Sequence, residues 1–314
     1  MALPTVNDVG AVDPVLSNML VGYMQADNRF VASRVFPIVP VGNDSGTYYI
    51  YTKKYFFFDD LETRAPGAGF ANLDVGVSTG TYTTIQYAGE VSVPDEVKNN
   101  NQAPFDVFQA KLRKVAQSSM IRKEVAFSTD FMAASVWGTT DNNSTTDWDD
   151  TTSGDPVNDV NTAMRTISDA TGYMANTLVC GYIVEQALVQ HPDIIDRIKY
   201  VQVATAGNLN TAVSAVLGLN VLTSRASYSN TNEAATFSAS AIIDDDALIC
   251  YVDSMAGIFN ATAGKTFAWG GGGGAGTVYR DPARRNHSDV AQHKEQWDQV
   301  AVAADCGYIF LDVV

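Results

Sequence analysis

Between residues 104 and 137 apolar side chains recur at three- and four-residue steps. Phe105, Phe108, Leu112 and Val115 come first, then Ile121, Val125, Phe127, Phe131 and Met132, with no glycine or interior proline before Gly138. That spacing predicts one long helix over 104–137. Pro104, which lacks an N–H, and Asp106, whose charge suits a helix start, mark its first turn. Phe105, Phe108, Leu112 and Val115 form its expected core stripe. Its second half is apolar on more than one side, so two layers are expected to pack against it. At 1.5 Å per residue the helix would reach roughly 50 Å, which makes it a strut.

Two runs with strand character precede it. Thr47 to Phe58 and Ser78 to Val93 are rich in aromatic and β-branched residues, and the stretch between them holds the turn formers Pro66, Gly67 and Gly69. This predicts an extended hairpin. In its first strand Tyr48, Ile50, Phe56 and Phe58 fall on one parity and Tyr49, Tyr51, Tyr55 and Phe57 on the other, so both faces call for cover. A two-stranded ribbon is barely stable alone in water, and strands this long span roughly 40 Å. Neighbouring subunits would supply the cover. The alternative is a pair of central strands in an ordinary sheet, joined by a long loop.

The remaining segments fall into three kinds. Residues 1–30 read as an arm, with a short amphipathic stretch carrying Val15, Leu16, Met19, Leu20 and Met24, followed by a proline-bounded connector at 34–40. After the polar loop 138–155, Asp155-Pro156 opens a helix with Val157, Val160, Met164 and Ile167 on one side. Strands then alternate with helices: 176–181, 219–223 and 247–253 as strands, 182–190, 194–200 and 208–217 as helices. This is an α/β unit. Extended runs at 265–269, 278–281, 292–303 and 307–313 close the chain. They are expected to form a sheet with the long helix, so that the α/β unit is inserted in a discontinuous domain.

Composition narrows the chemistry. The net charge is −15: residues 1–140 hold 11 Lys and Arg against 14 Asp and Glu, and residues 141–314 hold 9 against 21. Such a surface would repel a phosphate backbone, which argues against gripping nucleic acid but not against enclosing it. The cluster Lys111, Arg113, Lys114, Arg122 and Lys123 is spread around the long helix as a solvated surface. Cys180, Cys250 and Cys306 sit in apolar segments without CxxC spacing, as buried reduced thiols do. Gly264-Lys265-Thr266 ends like a phosphate loop, but Phe259 occupies the position of the required glycine. Gly271, Gly273 and Gly276 belong to a nearly all-glycine run with no helix pattern after it. The acidic loop around Asp147, Asp149 and Asp150 lacks the glycine and final glutamate of a calcium loop. His191, next to Pro192, suits a cap, and neither it nor His287 and His293 has a placed catalytic partner. No apolar run is long enough to span a membrane, and no signal-peptide pattern opens the chain.

The order of these parts resembles the major capsid proteins of tailed bacteriophages. Arg64-Ala65-Pro66-Gly67 stands where that family's extended loop turns, and Tyr87 to Glu96 leads into its spine helix. Leu188 to Tyr200, Leu219 to Leu222 and the ending Gly307-Tyr308-Ile309-Phe310 are also similar to family text. The resemblance implies an α+β chain of the Hong Kong 97-type fold. Residues 1–38 would be the N-terminal arm, 39–93 the extended loop and its base, and 94–137 the peripheral domain with the spine helix. Residues 138–256 would be the axial domain and 257–314 the returning peripheral sheet.

The same resemblance implies a non-enzymatic shell protein without cofactor or metal, forming pentamers and hexamers around double-stranded DNA in a virion assembled in the host cytoplasm. Tyr49, Tyr51, Tyr55, Phe57, Arg64 and Phe70 would make the inter-subunit contact. Portal, separate scaffolding and decoration proteins are the further partners implied. Only about 30 residues precede the connector, so a scaffold would be a separate protein, or the chain begins at a processing site. Lys53 and Lys54 lie away from the loop tip, without an asparagine to cross-link to, and read as ordinary surface lysines. An encapsulin-like compartment shell and, in another class, a soluble hydrolytic enzyme are the alternatives.

Overall fold

The computed structural model describes residues 25–314 except 62, 68, 71–72, 74, 101–106, 143–146, 200–208, 230, 232–235, 254–260, 271–276 and 284–286. In chain order the first elements are α1 (Ala32–Val35), β1 (Ile38–Val41), β2 (Ser45–Tyr51), β3 (Val77–Thr83), β4 (Ile85–Pro94), α2 (Asp95–Asn99), α3 (Val107–Phe131) and β5 (Thr139–Asn142). Next come α4 (Pro156–Thr171), β6 (Thr177–Gly181), α5 (Tyr182–Gln190), α6 (Pro192–Ile198), α7 (Leu209–Leu217), β7 (Asn220–Ser224), β8 (Ser227–Tyr228) and β9 (Ser240–Ala241). The chain closes with β10 (Ala247–Cys250), β11 (Gly264–Trp269), β12 (Thr277–Ala283), β13 (Ser288–Ala301) and β14 (Gly307–Leu311).

Two five-stranded sheets organise these elements. In the body sheet the 14-residue β13 pairs antiparallel with β4, β11 and β12, and β1 joins β11 in parallel. The second sheet runs β5-β14-β10-β6-β7. Its three inner strands, β14, β10 and β6, read as nearly unbroken apolar runs because both their faces are buried. Leu178, Cys180, Ala247, Ile249 and Phe310 face a cluster containing Val157, Val160, Ala163 and Ile167 of α4. Val179, Leu222, Leu248, Cys250 and Ile309 face the opposite way, towards Phe127 and Phe131 of α3 and Phe36. The period-2 alternation of a strand thus fills two cores at once.

Local signals act where the sequence places them. Asp155 caps α4, its carboxylate accepting the Asn158 N–H at 3.0 Å, and Gly172 ends that helix with φ +72°. His191 caps α6 by accepting the Asp193 N–H at Nδ1. All three cysteines are buried, and desolvation pushes the thiols of Cys180 and Cys250 up to about 12 and that of Cys306 to about 11.

The long helix needs two corrections. Its described part runs from Val107 to Phe131, about 37 Å, and ends six residues before Trp137. Trp137 instead turns back into the core, where its Nε1–H donates to the Phe131 carbonyl at 2.7 Å and its ring lies over Gly307. The expected core stripe is displaced as well. Phe108, Leu112 and Val115 are half-buried, Phe105 lies outside the described residues, and the buried side chains are Val107, Glu124, Ala126, Phe127 and Phe131. The second half of α3 meets two layers: Phe127 and Phe131 face the α/β sheet, and Ile121 and Val125 pack with Phe30, Ala226 and Ile242.

Glu124 fixes this junction. Fully buried, its carboxylate accepts the Val31 N–H, the Ala32 N–H at 2.9 Å and the Ser224 hydroxyl at 2.7 Å. It therefore ties the root of the arm, the long helix and the end of β7 together. Burial raises its pKa, and the three donors oppose that shift.

A third correction concerns the ending. The sequence places the run at 307–313 in the peripheral sheet with the other closing strands, but β14 lies in the α/β sheet, antiparallel to β10 and parallel to β5. Its four buried residues, Gly307 to Phe310, need cover on both faces, and the two clusters on either side of that sheet supply it.

Candidate assembly surface

The extended segment is a separate two-stranded ribbon, β2 paired antiparallel with β3 from Ser45↔Thr83 to Tyr51↔Val77. Seven residues per strand span roughly 23 Å, shorter than the sequence suggested. The second run splits: β4 leaves the ribbon and pairs with β13 across ten residues, because its alternation matches a sheet with one covered face.

The inner face of the ribbon is built from glycine–tyrosine pairs. Gly46 stands opposite Tyr82, and Tyr48 opposite Gly80. Each ring lies over the glycine across from it, so closely that a Cβ at Gly80 would come within 2.3 Å of the Tyr48 ring. Both tyrosines then stack on Phe267 of β11, at 5.5 and 4.6 Å between centroids. The Thr83 N–H donates to Asp298 at 2.9 Å, closing the root. Burial raises the pKa of Tyr48, with the Asp298 charge as the lesser cause, and burial also raises that of Asp298. One face of the ribbon is thereby fastened to the body.

The other face is open. Tyr49 is 72% exposed, and Tyr51 and Val77 are exposed beside it. Beyond the ribbon, Phe56, Phe57, Phe58, Leu61 (82%), Phe70 (86%), Leu73 and Val75 are exposed too. At the tip Pro66-Gly67 makes the expected turn, with Gly67 at φ +88°. Arg64 lays its guanidinium over the Phe70 ring at 4.3 Å, and Lys54 sits over Phe58 at 5.4 Å. So many large apolar side chains on one projection exceed what a solitary soluble protein leaves uncovered. Covering on the order of 500 Å² of them would contribute about 12 kcal/mol before the cost of association.

Of the six expected contact residues, Tyr49 and Tyr51 share the open face and Arg64 and Phe70 share the tip. Tyr55 and Phe57 do not continue the first pair: the strand stops at Tyr51, and the 3-10 turn Lys53–Phe56 breaks the alternation. Tyr55 turns onto Gly76. Phe56, Phe58, Leu61, Leu73 and Val75 complete the surface beyond the six expected residues. The Gly-x-Tyr spacing at 46–48 and 80–82 was the overlooked signal for the inner face. Lys53 is held by Asp305 at 2.6 Å.

Chemistry is sparse elsewhere. Among the described residues no group of three or more His, Cys, Asp or Glu could hold a metal ion. His293 lies 3.9 Å from Glu295, which Lys123 and Ser119 already engage at 2.8 Å from α3. Gly264, in the Gly-Lys-Thr triplet that ends like a phosphate loop, opens β11 directly beneath the Phe36 ring.

No family model matches the chain. The major capsid protein of Burkholderia phage BcepMu is 25% identical over 193 residues, a match that spans 60% of this chain and 61% of that relative's length. Among solved structures, a phage-related protein from Bordetella bronchiseptica superposes with a TM-score of 0.70 at 20% identity, covering 96% of this chain and 97% of the other. The capsid of cyanophage P-SCSP1u gives 0.59 at 12% identity, with 98% of each chain covered. A virus-like particle from Pyrococcus furiosus gives 0.52 at 11%, covering 88% and 91%.

Proposed function

We propose that this chain, which carries the Hong Kong 97-type fold of tailed-phage major capsid proteins, is the repeating subunit of a capsid shell. The observation that carries the reading is the open apolar face of the ribbon and its tip, on a subunit whose two other cores are closed. A second copy of the chain is the partner that can cover it in every subunit at once, as a closed shell requires. The shell would be icosahedral, made of pentamers and hexamers, and would enclose double-stranded DNA without gripping it. The excess of acidic residues after 140 suits a container that releases its contents. The role is structural and the surface needs no cofactor. A portal and separate scaffolding or decoration proteins would complete a virion built in the host cytoplasm.

Electron microscopy of the purified full-length chain tests the proposal: closed particles are expected, and a small oligomer at every concentration contradicts it. Deleting residues 60–77 should leave a folded subunit and abolish closure. The likeness to the Pyrococcus furiosus particle supports a second reading, a compartment shell. Particle contents separate the two, since the capsid reading expects double-stranded DNA and the compartment reading a packaged protein.

A further inference from the structure

The shoulder of the extended segment, between ribbon and tip, makes two contacts with its own subunit. Lys53 donates from Nζ to Asp305 Oδ2 at 2.6 Å, with both side chains about half exposed. Phe57 lays its ring edge over Gly172, where a Cβ would stand 3.5 Å from Cζ. Gly172 ends α4 in the left-handed region, so the helix offers bare backbone at that point. Asp305 lies in the 3-10 turn Ala304–Cys306 that leads into β14, so both contacts fall on the α/β unit. The root of the ribbon, by contrast, rests on Phe267 of the body sheet. The extended segment as a whole therefore bridges the two halves of the subunit, its root on the body sheet and its shoulder on the α/β unit.

We propose that these contacts form a self-seat, a weak hold on residues 53–57 that a neighbouring copy displaces and that restrains copy-to-copy contact until it does. The inference rests on the shell reading above. Phe57 is still 57% exposed while seated, so the ring the seat engages is among those a neighbour would cover. The ion pair is solvated, and such a pair shifts an equilibrium by no more than about five-fold. That bias suffices to hold the shoulder in a lone subunit and yields to a partner that buries several aromatic rings.

Asp305→Asn removes the charge and keeps the shape; Lys53→Met keeps the stem and is the second variant. Hydrogen exchange of amides 52–58 is read on dispersed full-length subunits, and particle growth is followed by light scattering after concentration. Either substitution should raise exchange roughly two- to five-fold and speed early growth by a similar factor. Exchanging the partners, Lys53→Asp with Asp305→Lys, should restore both. The difference from the wild-type chain should shrink at about 1 M salt, where screening acts within roughly 3 Å. Unchanged exchange overturns the seat, and faster exchange with unchanged or slower growth overturns the restraint. A wild-type chain that forms no particles contradicts the shell reading, and with it the restraint, while the exchange on dispersed subunits still reports the seat.

Discussion

Strand β14, Gly-Tyr-Ile-Phe-Leu, and the core of β2, Thr-Tyr-Tyr-Ile-Tyr, have nearly the same appetite for cover. The first lies between β5 and β10 with a packed cluster on each face, and its residues 307–310 are buried. The second has one partner strand and one covered face, and Tyr49 and Tyr51 stand in solvent. Local composition is therefore not what separates a core strand from one with an open face. Topology separates them, by deciding how many sides the rest of the chain can reach.

This contrast is sharpest where a change should damage one region only. The largest effect is expected from Phe127→Ala, which empties a fully buried site between α3 and the α/β sheet. A loss of about 3–5 kcal/mol in global unfolding by denaturant is the expected outcome. Gly80→Ala should cost about 1–3 kcal/mol, because the added Cβ drives the Tyr48 ring off Phe267. Its signature is faster hydrogen exchange in 45–83 with the α/β unit unchanged.

A smaller effect belongs to the self-contained half. Burial, with Asp245, Asp312 and Asp244 as lesser causes, raises Asp246 from 3.8 to about 6. The folded state thus holds that proton more tightly than the unfolded one. The stabilisation is fully present below 3.8 and is lost as pH rises through about 6. Asp246→Asn keeps an acceptor for the Asp312 N–H. It should flatten this part of the stability–pH curve and gain of the order of 1 kcal/mol at pH 7, allowing for solvent screening at a half-buried site. The smallest change in subunit stability, under about 0.5 kcal/mol, is expected for Tyr49→Ser combined with Phe70→Ser, both fully on the surface. The same pair should sharply reduce particle yield on sizing and microscopy, which sets the two regions apart in a single protein.

Much of this division could be read from the residues. The capped helix at 156, the helix Tyr182–Gln190 and the buried strands of the α/β unit follow from caps and apolar runs that act within a few residues. The misjudged parts depend on partners distant in sequence. β4 left the ribbon because β13, some two hundred residues later, offers a longer pairing. β14 joined the α/β sheet, where a packed cluster covers each of its faces. Glu124 reads as an ordinary charged helix residue, and nothing near it in sequence announces the three donors it meets. For the surface, aromatic content indicated the need for cover. The split between an inner face of glycine–tyrosine pairs and an open outer face required the register.

The central claim is that the open face of residues 49–77 is covered by other copies of the same chain. Hydroxyl-radical labelling of Tyr49, Leu61 and Phe70, compared between dispersed subunits and purified particles of the full-length protein, tests it most directly. Labelling should fall several-fold on assembly at all three positions, while Met174, exposed on the α/β unit, serves as the reference. Intact particles in which Tyr49 and Phe70 label as strongly as in free subunits would contradict the account.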